Sequence, residues 1–122
     1  MRLLAIEFVL DYLVLRFDGD VAEPQVTLSC DVLPQVEAGD GSQLRDGAPG
    51  FSDALRELVG DDVIAADEGT GTGLRISLGS TSLVINPTSE DLVGPEIALL
   101  RGFADGAWMC WRPGEGTFER RR

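Results

Sequence analysis

Carboxylates are the residues with which this chain could do chemistry: it holds 21 Asp and Glu and no His. They cluster at Asp18 and Asp20, at Glu37, Asp40 and Asp46, at Asp61, Asp62, Asp67 and Glu68, and at Glu90 and Asp91. Hard cations such as Ca²⁺ need several oxygens from one tight loop, and none of these clusters has the spacing of a calcium-binding loop with its closing Glu. No metal site is assigned. General acid/base or glycosidic chemistry needs two carboxylates at defined separations, which spacing along the chain does not supply. The missing His removes the commonest general base and excludes Ser/His and Cys/His triads within the chain. With no catalytic set in view, the sequence leans away from an enzyme and implies no cofactor.

Two further stretches invite a chemical reading. In "EGTGTGLRISLG" glycines alternate at 69, 71 and 73. A phosphate loop uses such glycines so that the backbone can approach the ligand, and a following helix aims its N–H groups at the anion. Here the glycines precede "LRISLGSTSLVIN", which reads strand, turn, strand, and follow Asp67 and Glu68, which repel anions. A hairpin turn is the expectation. In "DGAWMCWRPGEGTFE" a strand would place Trp108 and Cys110 on one side and Met109 and Trp111 on the other. Trp and Arg are enriched at binding hot spots, which makes Trp111 with Arg112 an interface candidate; a strand buried on both faces is the competing reading.

The formal net charge is −11, and all ten cationic side chains are Arg. Such a field repels phosphate backbones and shows no basic stripe, so nucleic acid is not expected as a partner. Arg120–Arg122 read as a solvated tail. The apolar opening "MRLLAIEFVLDYLVLRF" resembles a signal peptide only superficially, since Glu7 and Asp11 interrupt it and no small-residue cleavage site follows. It is also too short in apolar run for a membrane span. The reading is cytoplasmic, with Cys30 and Cys110 reduced and buried rather than bridged.

These residues must be positioned by short strands. Leu4, Ile6 and Phe8, then Leu13, Leu15 and Phe17, alternate with less apolar neighbours, giving a hairpin bent near Asp11 or one long bent strand; a helix over 3–17 is the rival. Val26, Leu28 and Cys30 alternate likewise. "PQVEAGDGSQLRDGAPG" reads as a long loop. "SDALRELVG" predicts the one helix, capped by Ser52, ended by Gly60, with Phe51, Leu55, Leu58 and Val59 sharing a face. Strands are then expected at 63–67, 74–78, 83–86, 97–100 and 107–112, separated by turn signals. Strands without intervening helices pair antiparallel. The expectation is a single α+β domain over 1–122: a curved antiparallel meander of about six to eight strands with one short helix packed on it.

The order "LRISLG", "SLVINP", "EIALLRG", "GAWMCWRPGEG", over Leu74 to Glu115, resembles a family of small bacterial proteins of unassigned function, mostly actinobacterial. The resemblance implies a β-rich fold and offers no catalytic residues. A looser resemblance is to bacterial immunity proteins, which neutralise toxins of competitors. Two functions follow as expectations. The first is an acidic protein-binding module, such as an immunity protein or toxin inhibitor, that meets a basic protein through Glu37, Asp40, Asp46, Asp61, Asp62, Asp67 and Glu68 with Trp111 and Arg112. The second is a small-molecule-binding or enzymatic domain with a pocket between sheet and helix, lined from Trp108 or Trp111, Tyr12 and Arg75. A homodimer through a sheet edge is compatible with either.

Overall fold

Leu13, Leu15 and Phe17 of the first hairpin are buried in the computed structural model, which describes residues 1–18, 25–69, 73–87, 97–101 and 109–111, whereas Leu4 and Phe8 of its other strand are exposed. Strands β1 (Leu3–Val9) and β2 (Tyr12–Asp18) pair antiparallel, as the alternation indicates. Leu13, Leu15 and Phe17 turn one face of β2 into the core, and the turn falls at Leu10 and Asp11. On β3 (Gln25–Cys30), Val26, Leu28 and Cys30 stand opposite Phe17, Leu15 and Leu13 and extend that buried face. Late in the chain, β9 (Ala98–Arg101) pairs with β3, and β10 (Met109–Trp111) pairs with β9. This sheet has the order β1-β2-β3-β9-β10.

The stretch expected to be a long loop contains two strands, β4 (Gln35–Glu37) and β5 (Gln43–Leu44). Segments of three and two residues are too short to show a period, so turn residues dominate the sequence signal there. Asp40 closes the turn, its Oδ1 accepting from the Ser42 backbone N–H at 2.9 Å and from the Ser42 hydroxyl at 2.6 Å. Val36 alone faces the core from β4.

Helix α1 (Phe51–Leu58) follows, with Phe51, Leu55 and Leu58 buried. Ser52 is not its cap. Gly50, at φ 87°, occupies that position without a side-chain bond, and its carbonyl accepts from Ala54 N–H at 2.9 Å. The helix starts two residues earlier than the capping pattern suggests because a left-handed glycine delivers the chain into it. Val59 leaves the apolar face: it is extended and 40% exposed. A helix of this length is stable through its packed face, here against β1 and β4.

The remaining strands are β6 (Val63–Gly69), β7 (Gly73–Leu78) and β8 (Thr81–Ile85), and the second sheet runs β5-β4-β8-β7-β6. The architecture is thus α+β, antiparallel throughout, with one short helix among the described residues. The ten strands among the described residues divide between two five-stranded sheets instead of following one meander. The sheets meet at a seam of backbone bonds: Leu3 N–H to Asp61 O (2.9 Å), Gly60 N–H to Leu3 O (2.7 Å) and Val63 N–H to Met1 O (2.7 Å). Register irregularities flank the seam at Leu3/Ala5 on β1 and at Val63/Ala65 on β6. Bulges bend strands and increase their twist, which folds the second sheet over the first. The apolar faces of both sheets and of α1 form one core cluster, from Leu15 and Leu28 to Leu55, Leu83 and Ile85.

Candidate functional site

Carboxylates of the second sheet gather at its two edges. At the β4–β5 edge, Glu37 ends its strand half-buried and accepts from Arg75 of β7 in a two-pronged pair, Nη1 to Oε1 at 3.1 Å and Nη2 to Oε2 at 3.2 Å. Gln43 Nε2 donates to the same carboxylate at 3.2 Å. Arg75 thereby ties β7 to β4 across the intervening β8. The hydrogen bonds from Arg75, then that from Gln43, hold the Glu37 carboxyl below its ordinary range. Asp40 is lowered too, first by the Ser42 hydroxyl and then by the Ser42 backbone N–H. Both are therefore built into the hairpin. Asp46 lies apart, in a polar cavity of about 480 Å³ with Asp11, Asp31, Gln35, Arg45 and Asn86.

The opposite edge is β6. From Ile64 to Glu68 every residue of this strand is exposed, and among the described residues β6 pairs only with β7 beyond the seam. Asp61 and Asp62 lead into it and Asp67 and Glu68 lie near its end, all four exposed. Ile64 is 66% exposed in the same strand. An edge strand that presents its backbone groups to solvent is a template for a further strand, and charges on it discourage a second copy from pairing there. The sequence brought seven carboxylates forward for an interface, in the 37–46 loop or over 61–68; the structure places Glu37 and Asp40 at one edge, Asp61, Asp62, Asp67 and Glu68 at the other, and Asp46 in a cavity apart from both. Trp111 lies in β10, where only the backbone is described, and Arg112 and Trp108 lie outside the described residues.

The glycine stretch joins β6 to β7 with Gly69 opposite Gly73, so strand, not helix, follows it. Residues 70–72 lie outside the described ones. Gly73 sits at φ 82°, and a Cβ there would come within 2.1 Å of the Ile85 carbonyl oxygen. This glycine answers a packing need, namely close approach to β8.

Cys30 is a free, fully buried thiol whose pKa burial, assisted by the nearby Asp31 charge, pushes up to about 12. It is inert as a nucleophile at neutral pH. No described side chain that is polar or charged is buried in the core. Arg75, expected as a pocket liner, does border a cavity, but that cavity lies between the two sheets; Tyr12 opens β2 half-buried. Sequence reasoning missed the cavity's other walls, among them Phe17, Leu28 and Leu74, because their alternation marks them only as core.

These features define an α+β protein of two antiparallel sheets whose most exposed element is an acidic edge strand. Comparison with protein-family models, curated protein sequences and solved structures found no match. No helix among the described residues is long and apolar enough to cross a membrane.

Proposed function

We propose that this protein is a binding module for a basic protein partner and that β6 is where the partner docks, by adding an extended basic segment to the sheet edge. The observation that carries the reading is β6 itself: an edge strand with no neighbour on its outer side among the described residues, exposed on both faces, with Asp61, Asp62, Asp67 and Glu68 along it. Strand addition supplies affinity through main-chain hydrogen bonds, and alternate side chains supply selectivity. The net charge of −11 adds long-range attraction for a basic partner and opposes a homodimer through the same edge. An immunity protein or other inhibitor of a basic toxin is a module of this kind. The buried Cys30 thiol suits a reducing compartment, which supports the cytoplasm as its location.

The test is capture of basic proteins from native lysate at low and at high salt by the wild type and by the triple variant Asp61→Asn, Asp62→Asn, Asp67→Asn. Exposed charge pairs are screened beyond about 8 Å at physiological ionic strength. A basic protein held at low salt, released at high salt and lost by the triple variant supports the reading, as does slowed amide exchange over 64–68 in the complex. Capture that the triple variant retains in full would sink it.

A further inference from the structure

The two sheets do not close tightly where they diverge from the seam. Between them lies a cavity of about 310 Å³, with Phe17, Leu28 and Leu100 on one wall and Ala66, Leu74 and Ile76 on the other. That volume is at the lower end of the roughly 300–1,000 Å³ typical of small-molecule sites. Phe17, Leu28 and Leu74 are buried, whereas Ala66 is exposed, so the cavity opens beside β6.

Register decides which charge a ligand meets at that opening. Residues directly opposite in an antiparallel pair share a face. Ala66 pairs with Ile76 and Glu68 with Leu74, so Glu68 stands on the inner, apolar face at the cavity's border. Arg75 and Asp67, one step out of phase, belong to the outer face, where Arg75 holds Glu37 in the two-pronged pair. The polar group on the cavity's own face is thus a carboxylate, and the neighbouring guanidinium is committed elsewhere. A carboxylate has about four lone-pair sites and can take a cation alongside another partner.

We propose that this intersheet cavity binds a small apolar amine, an alkyl or aryl body carrying a cationic head, with the body between the sheets and the head at Glu68. The buried walls are apolar; of the charged side chains at the border, Asp67, Glu68 and Arg75, it is Glu68 that shares the cavity's face and would repel an anionic head. The site borders the same β6 edge through Ala66 and Glu68, and its binding is read on the protein alone, with no partner present. An inward-facing charge on an edge strand is also a guard against edge pairing, and the experiment separates the two roles.

Decylammonium and decanoate, matched in chain and opposite in head, are titrated below their aggregation concentrations by calorimetry against the full chain. Saturable one-site binding of decylammonium is expected, at least about tenfold tighter than decanoate, the size of one charge-assisted contact. Glu68→Gln should erase that preference while leaving chain binding in place. Ala66→Trp, at an exposed position that does not test the core, should fill the opening and abolish binding with the melting temperature retained. Absence of saturable binding, equal affinity for the two heads, or decylammonium binding that survives Ala66→Trp each overturns the proposal; the last would mean a cation held by the acidic surface alone.

Discussion

The two edges of the second sheet carry the same kind of side chain and use it in opposite ways. At the β4–β5 edge Glu37 and Asp40 spend their oxygens inside the protein, on Arg75, Gln43 and Ser42. At the β6 edge Asp61, Asp62 and Asp67 engage no side chain among the described residues and face solvent. Acidic composition is thus not one property. Where a strand is only three residues long, a carboxylate that recruits a cation from two strands away substitutes for the missing ladder. Where the strand is seven residues long and well paired on one side, the carboxylates are released to govern what may approach the other side.

The largest break in this contrast comes from removing the β6 edge. Gly73→Ala puts a Cβ 2.1 Å from the Ile85 carbonyl oxygen and 2.8 Å from Asn86 Cβ, at a φ of 82°. The obstacle is backbone of the adjacent strand, so relief requires β7 to leave β8. Urea unfolding should show a loss of about 3 kcal/mol or more, since left-handed strain and overpacking add. Gly79→Ala is the control, with φ 62° and open space around it, and should cost about 1–2 kcal/mol from the backbone alone. Equal losses at the two glycines would refute the close approach as the reason for Gly73.

That comparison also bears on what could be read from the chain. The β1–β2 hairpin was legible because Leu13, Leu15 and Phe17 alternate on a strand with one buried face, and α1 because Phe51, Leu55 and Leu58 recur at helical spacing. β4 and β5 were not, since so few residues carry no period. The split into two sheets was not, because the seam is made by the backbone of residues 1–3 and 60–63, which no side-chain pattern encodes. β6 was legible as a strand, yet its "VIA" run suggests burial that Ile64, 66% exposed, does not have. The acidic clusters were visible. Which of them are engaged was not, since Glu37 and Arg75 lie 38 residues apart and only the order β4-β8-β7 brings them together.

An intermediate effect is expected at the β4–β5 edge. Glu37→Gln removes the charge that Arg75 binds and should lower the urea midpoint at neutral pH. The pH dependence follows from the direction of the shift. Glu37 is ordinarily at 4.5 and Asp40 at 3.8, and both are lowered in the folded protein. Their contribution is therefore complete above those values and is lost as pH falls through the lowered ones. The gap between wild type and Glu37→Gln should be constant near neutrality and close below about pH 4.5. A gap independent of pH would mean that Glu37 acts through packing rather than charge.

The smallest effect sharpens the contrast most. Asp61→Asn, Asp62→Asn and Asp67→Asn replace exposed carboxylates with near-isosteric amides, and exposed substitutions outside networks stay within about 0.5 kcal/mol each. Reducing the excess of negative charge should, if anything, relieve self-repulsion and raise the midpoint slightly. The combined variant should therefore unfold at the wild-type urea concentration while losing the basic partner, whereas Glu37→Gln should lose stability. A fall of more than about 2 kcal/mol for the triple variant exceeds the summed surface effect. It would show that these carboxylates hold the seam between Met1–Leu3 and Gly60–Val63, making the β6 edge structural in the same sense as its opposite.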